Sequence, residues 1–339
     1  MSGEPGDTMR ERADESSRVL WLLLNADRWL VTAVLSAILF CSIVVVGLLV
    51  PEPGFRAGDP IETLYQALIT STVTGVTLVL TLSQLVLSQE LGSAGDQRER
   101  MQGALSFRRD VADAVDTAVS PAEPSAFLRA LVGATRDRSE AIDDAIADLE
   151  PDARDRVMSY LDAVIENADG VIEQLDGATF GEFDVVRAAL NYNYSWKLYE
   201  GRSIRETDDI DLPEAAVAEL ESLLDLLELF GPAREHFKTL YFQWELSNLS
   251  RTLLYTAVPA LAVAVSSLLF LDPSAIDGAT AGVDHALALV AATTTVSLVP
   301  FTILLAYVLR IVTVTKRTLS VGPFILRETD RSGDISERT

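Results

Sequence analysis

The chain has 339 residues but only one cysteine, two histidines and three lysines, and each scarcity closes off a class of function. Cys41 has no partner for an intrachain disulfide, so the fold cannot rest on cross-links. His236 and His285 are too few for a histidine metal cluster or a duplicated general base. Glu235-His236 beside Lys238 is read as a solvated helix face rather than an acid–base group. Glycine-rich phosphate loops, a Gly-x-Ser-x-Gly elbow and kinase signatures are missing too. The expectation is no enzyme, no cofactor and no metal site. With 27 basic against 50 acidic residues the net charge is −23, and clustered positive charge for nucleic acid is lacking.

Charge is also missing from four long stretches. Residues 29–50, 65–89, 253–271 and 287–309 contain no Asp, Glu, Lys or Arg, and each is long enough for a spanning helix. Basic residues flank one side of these spans: Arg18, Arg28, Arg98, Arg100, Lys238, Arg251, Arg310, Lys316 and Arg317. The opposite turns hold Arg56 alone at 51–62 and no basic residue at 272–284. This asymmetry predicts a multi-pass protein of the cytoplasmic membrane with both termini inside. The segment 19–24, with Trp21, either lies in the interface or begins the first span. No cleavable signal is expected, because the first apolar run is long and ends in Pro51-Glu52-Pro53.

The second span carries a polar line. Thr70, Thr74, Thr77, Thr81, Gln84 and Ser88 recur at alternating steps of four and three, so they share one side of a helix. At 1.5 Å per residue the line covers about 27 Å, nearly the roughly 30 Å hydrocarbon thickness. Such a seam is expected to face another helix or water, and both readings stay open: helix packing, or the lining of a pore. No ionisable pair lies at mid-depth, which argues against a proton- or ion-coupled carrier. Pro300 is expected to kink the fourth span, near Thr293, Thr294, Thr295, Ser297 and Thr302.

Between the two hairpins the sequence turns acidic. Helices are predicted over 96–119, 125–149, 152–175, 183–206 and 213–251, punctuated by Pro121, Pro124, Pro151, Gly177 and Gly181. Leu220, Leu223, Leu224 and Leu227 keep helical spacing, and no convincing strand alternation occurs. An antiparallel helical bundle follows. Two aromatic clusters, one from Tyr192 to Tyr199 and one from Phe230 to Trp244, read as bundle core and interfacial belt. Gly231-Pro232 is expected to break the last helix, giving a hinge or a plain helix boundary.

The stretches 84–92, 95–101 and 231–245, with Lys316-Arg317-Thr318-Leu319 and 322–328, resemble a group of uncharacterised four-span membrane proteins from haloarchaea. The resemblance implies a salt-loving source, which the acidity and the scarcity of lysine also suggest. It implies no activity. In layout alone, four spans with both ends inside and a helical insert, the chain is similar to the bestrophin anion channels, but their pore motifs are missing.

The sequence therefore predicts an all-α polytopic protein in five parts: an N-terminal segment 1–28, a hairpin 29–89, an acidic bundle 90–251, a second hairpin 252–310 and a tail 311–339. Its expected partners are the lipid bilayer, further copies of itself in a homo-oligomer, and a cytoplasmic protein. The functional expectation is a channel-like permeation pathway regulated by the bundle, with a non-conducting scaffold or sensor as the alternative.

Overall fold

The computed structural model describes residues 26–50, 58–179, 183–207 and 209–317. The segment 19–24, Arg56 and the motif at 322–328 lie outside them. Contacts divide the chain into two units, one centred on Gly92–Phe242 and one joining the stretch up to Leu91 with Gln243–Thr313.

The apolar unit contains α1 (Arg28–Leu49), α2 (Gly58–Glu90), the later part of α8 (Glu214–Phe270) and α9 (His285–Arg317). Each of these four helices is long and apolar enough to cross a membrane. Asp27 opens α1 by accepting from the Trp29 backbone N–H at 2.6 Å. The most buried of the four is α9, whose Val290 packs with Ile61, Tyr65 and Leu68 of α2 and Ala264 of α8. Further along, Ile303 and Tyr307 close on Val79, Leu249 and Leu253. Gly47 lets α1 approach α9, since a Cβ there would come within 2.5 Å of Leu287 Cδ1. Pro300 stays inside α9, which runs on past it.

The turn between α8 and α9 holds a short hairpin: β1 (Ala279–Thr280) pairs antiparallel with β2 (Val283–Asp284). Ala281 (φ 52°) and Gly282 (φ 83°) between them are both left-handed, as a two-residue hairpin turn of this hand requires.

The second unit is the helical bundle: α3 (Ala94–Ala114), α4 (Pro124–Ala145), α5 (Pro151–Leu175), α6 (Phe183–Asn191), α7 (Tyr194–Glu206) and the earlier part of α8. Its starts follow local chemistry. Ser93 and Asp96 form a reciprocal capping box on α3, and Glu123 caps α4 ahead of Pro124. Its core joins Leu128, Leu131 and Val132 of α4 to Leu161 and Val164 of α5 and Leu223, Leu227 and Phe230 of α8. The two aromatic clusters meet there, with the Tyr192 and Phe230 ring centroids 4.8 Å apart edge to face.

Two expectations are corrected. The helix predicted over 183–206 is two helices, because Asn167 reaches into the interruption: its Nδ2 donates to the Asn191 carbonyl (3.0 Å) and its Oδ1 accepts from Asn193 N (3.3 Å). The break at Gly231-Pro232 is not there, and α8 continues through both residues. Pro232 faces outward, where water can satisfy the carbonyl its missing N–H leaves unbonded. Gly231 instead serves packing, for a Cβ there would meet the Tyr194 ring at 3.1 Å.

Candidate functional site

The polar residues of α2 separate into two faces. The inward face carries Tyr65, Thr72 and Ser83 among Ile61, Leu68 and Val79. Tyr65 Oη meets Thr293 Oγ1 of α9 at 2.5 Å, and the Ser83 hydroxyl bonds that of Ser250 on α8. Hydroxyl pairs of this kind join helices where no water is available. Ser36 of α1 and Thr302 of α9 make a similar contact at 3.3 Å.

The sequence-predicted seam is the other face. Thr70, Thr74, Thr77, Thr81, Gln84 and Ser88 are all exposed. At about 100° per residue they lie about 160° around the helix from the packed side. Among the described residues the seam therefore lines nothing. Its threonines return their hydroxyls to the helix: Thr70 to Gln66 O (2.9 Å), Thr74 to Thr70 O (2.8 Å), Thr77 to Val73 O (2.9 Å) and Thr81 to Thr77 O (2.9 Å). Bonded this way, threonine is tolerated against lipid, which relaxes the expectation that the seam must meet a helix or water. Gln84 differs, since a carboxamide has more donors and acceptors than a neighbouring carbonyl can satisfy. It has no hydrogen-bond partner among the described residues.

Beside the inward face a cavity of about 20 Å³ lies between Thr72, Gly75, Leu253, Leu298 and Pro300. It has room for about one water and is no passage. The second feature of this unit is a charged cluster that the sequence reading did not single out. Glu245 of α8, 3% exposed, pairs with Arg28 at the start of α1, and the Arg28 guanidinium lies 5.6 Å from the Tyr307 ring centre. Arg310 of α9, also buried, donates to the Ala26 carbonyl. One sequence signal could have revealed Glu245: it falls in step with Tyr241, Leu249, Leu253 and Ala257, the buried stripe of α8. A carboxylate in that stripe needs a cation.

Among the described residues no three His, Cys, Asp or Glu side chains gather as a metal site. The sequence-predicted hinge, Gly231 and Pro232, lies mid-helix in the bundle, away in sequence from the seam.

These features define an all-helical protein with four helices long and apolar enough to cross a membrane and a separate helical bundle. The chain belongs to a family of unknown function, DUF7972, whose model matches residues 1–339. No curated protein and no solved structure matches it.

Proposed function

We propose that this is an integral membrane protein of the cytoplasmic membrane that self-associates through the outward face of α2. The seams of neighbouring copies then surround a channel-like permeation pathway regulated by the cytoplasmic bundle. One observation carries the reading: all six seam residues are exposed on the side of α2 opposite its packed face. A polar line over most of a bilayer's thickness, exposed among the described residues, is available to another copy. Gln84 suits that role, because a carboxamide both donates and accepts and so pairs with its own equivalent. Lipid offers it neither.

The alternative, a non-conducting scaffold or sensor, is favoured by the threonine hydroxyls being bonded to their own helix. Ion flux into liposomes separates the two. The pathway reading expects protein-dependent flux that Thr81→Leu or Gln84→Leu abolishes at unchanged oligomer size, as an apolar ring dewets a narrow pore. Absence of wild-type flux across salts, pH values and potentials would leave the scaffold.

A further inference from the structure

A groove of about 450 Å³ lies on the surface of the apolar unit, where the end of α8 meets α9. Ala262, Val263, Ser266, Ser267 and Phe270 line it from one side of α8, and Thr293 lines it from α9. From Ala262 to Phe270 it extends about 12 Å at 1.5 Å per residue, close to half the roughly 30 Å hydrocarbon thickness. Its volume is that of an ordinary small-molecule site, within about 300–1,000 Å³. None of its lining side chains is charged.

Two hydroxyls in this groove are left unbonded. On the same helix Ser250 and Thr256 return theirs to the carbonyls of Leu246 and Thr252, each at 2.9 Å. The Thr293 hydroxyl is occupied too, by the Leu289 carbonyl at 2.7 Å and by Tyr65 Oη. The hydroxyls of Ser266 and Ser267 have no hydrogen-bond partner among the described residues. Ser267 is only 6% exposed, so an acceptor for it must enter the groove. A hydroxyl without a partner in apolar surroundings is costly. The two serines stand three and four residues before Phe270, the end of α8, and so about 5–6 Å deeper. The ester or ether oxygens of a bilayer lipid lie at the edge of the hydrocarbon region, not at that depth. The groove calls for an apolar molecule that carries its own acceptor into the hydrocarbon.

We propose that this groove binds a membrane quinone, with a ring carbonyl accepting from Ser266 and Ser267 and the isoprenoid tail running past Val263 and Ala262. An oxidised quinone is neutral and has acceptors but no donors, which matches hydroxyl donors in an uncharged groove. Phe270, 82% exposed at the end of the groove, offers a ring face for the quinone to stack on. The site holds the molecule and carries out no redox step. The inference rests on the reading of the apolar unit as membrane-embedded and stands whether or not that unit conducts.

The test uses the full-length protein, extracted in detergent from the membrane fraction, so that its presence there checks the membrane reading separately. Two probes are compared: a naphthoquinone with a two-isoprene tail, and the naphthalene with the same tail and no oxygens. The thermal midpoint is expected to rise saturably with the quinone, as linkage requires of a ligand that binds only the folded state. The naphthalene should bind roughly tenfold more weakly, since it lacks the acceptors. A Ser266→Ala, Ser267→Ala double variant should lower quinone affinity to that of the naphthalene and leave naphthalene binding unchanged. Membrane-extracted protein whose midpoint the quinone does not raise would overturn the proposal. Equal binding of the two probes by wild type would also overturn it and leave a groove for plain lipid chains. A quinone preference that survives in the double variant would place the site elsewhere.

Discussion

Two glycines show how far a single side chain is constrained in the bundle. At Gly201 in α7 a Cβ would lie 2.6 Å from Tyr160 Oη and 2.9 Å from Leu224 Cδ2, so three elements meet over a missing methyl. At Gly133 in α4 nothing lies within 4 Å of the same position. Gly201→Ala is therefore expected to destabilise the protein by about 1–3 kcal/mol through overpacking. Gly133→Ala should stabilise it by about 0.5–1 kcal/mol, because a mid-helix glycine costs backbone entropy that alanine does not. Denaturant midpoints of the two variants, on opposite sides of wild type, check the pair. Neither glycine could be told from the other in the sequence, since both sit in helical patterns and only the tertiary neighbour differs. The Arg28–Glu245 pair was hidden for the same reason: the two residues are far apart in the chain, and their pairing follows from how α1 and α8 pack.

At the scale of elements, the apolar helices were legible because exclusion of charge over about 20 residues is a strong signal. The bundle helices were legible from their punctuation, as with Pro124 and Pro151 at the first turns of α4 and α5. Breaks were harder. Gly231-Pro232 looks like a stop but is carried through by packing on one side and water on the other, whereas Tyr192-Asn193 has no strong breaker and is opened by the distant Asn167. Periodicity also showed that the seam residues share a side of α2 without showing that this side is the unpacked one. Caps, by contrast, have a measurable signature. Burial pushes the Glu123 carboxyl up, but the Ser125 hydroxyl and the Ala126 N–H outweigh it and hold it below the ordinary glutamate value of 4.5. Burial likewise raises Glu235, and Lys238 with Arg234 overcomes it. A carboxyl whose folded-state pKa is lowered stabilises the fold above its unfolded value and loses that contribution as pH falls through the folded one. The thermal midpoint is thus expected to drop as pH is taken below about 4.5, the ordinary glutamate value. Glu123→Gln should start from a lower midpoint at neutral pH and show a shallower acid drop, and an unchanged acid slope would contradict the cap's role.

For the whole molecule, the apolar unit leaves large side chains exposed around its outside, among them Ile38, Leu78, Val258, Phe270 and Phe301. Exposed apolar residues on four long helices are what lipid would cover. Among the described residues the seam on α2 runs as a continuous polar line through that apolar exterior. In the proposed assembly this face meets its own equivalent in a neighbouring copy, which cysteine cross-linking in native membranes can detect. In a Cys41→Ala background, single cysteines at Thr74 or Thr77 on the seam are compared with one at Val45, exposed on α1. Mild oxidation, whose disulfides require Cα atoms within about 7 Å, is expected to yield covalent dimers from the seam positions and none from Val45. Dimers from Val45 with none from Thr74 or Thr77 would contradict the claim and move the interface to another face.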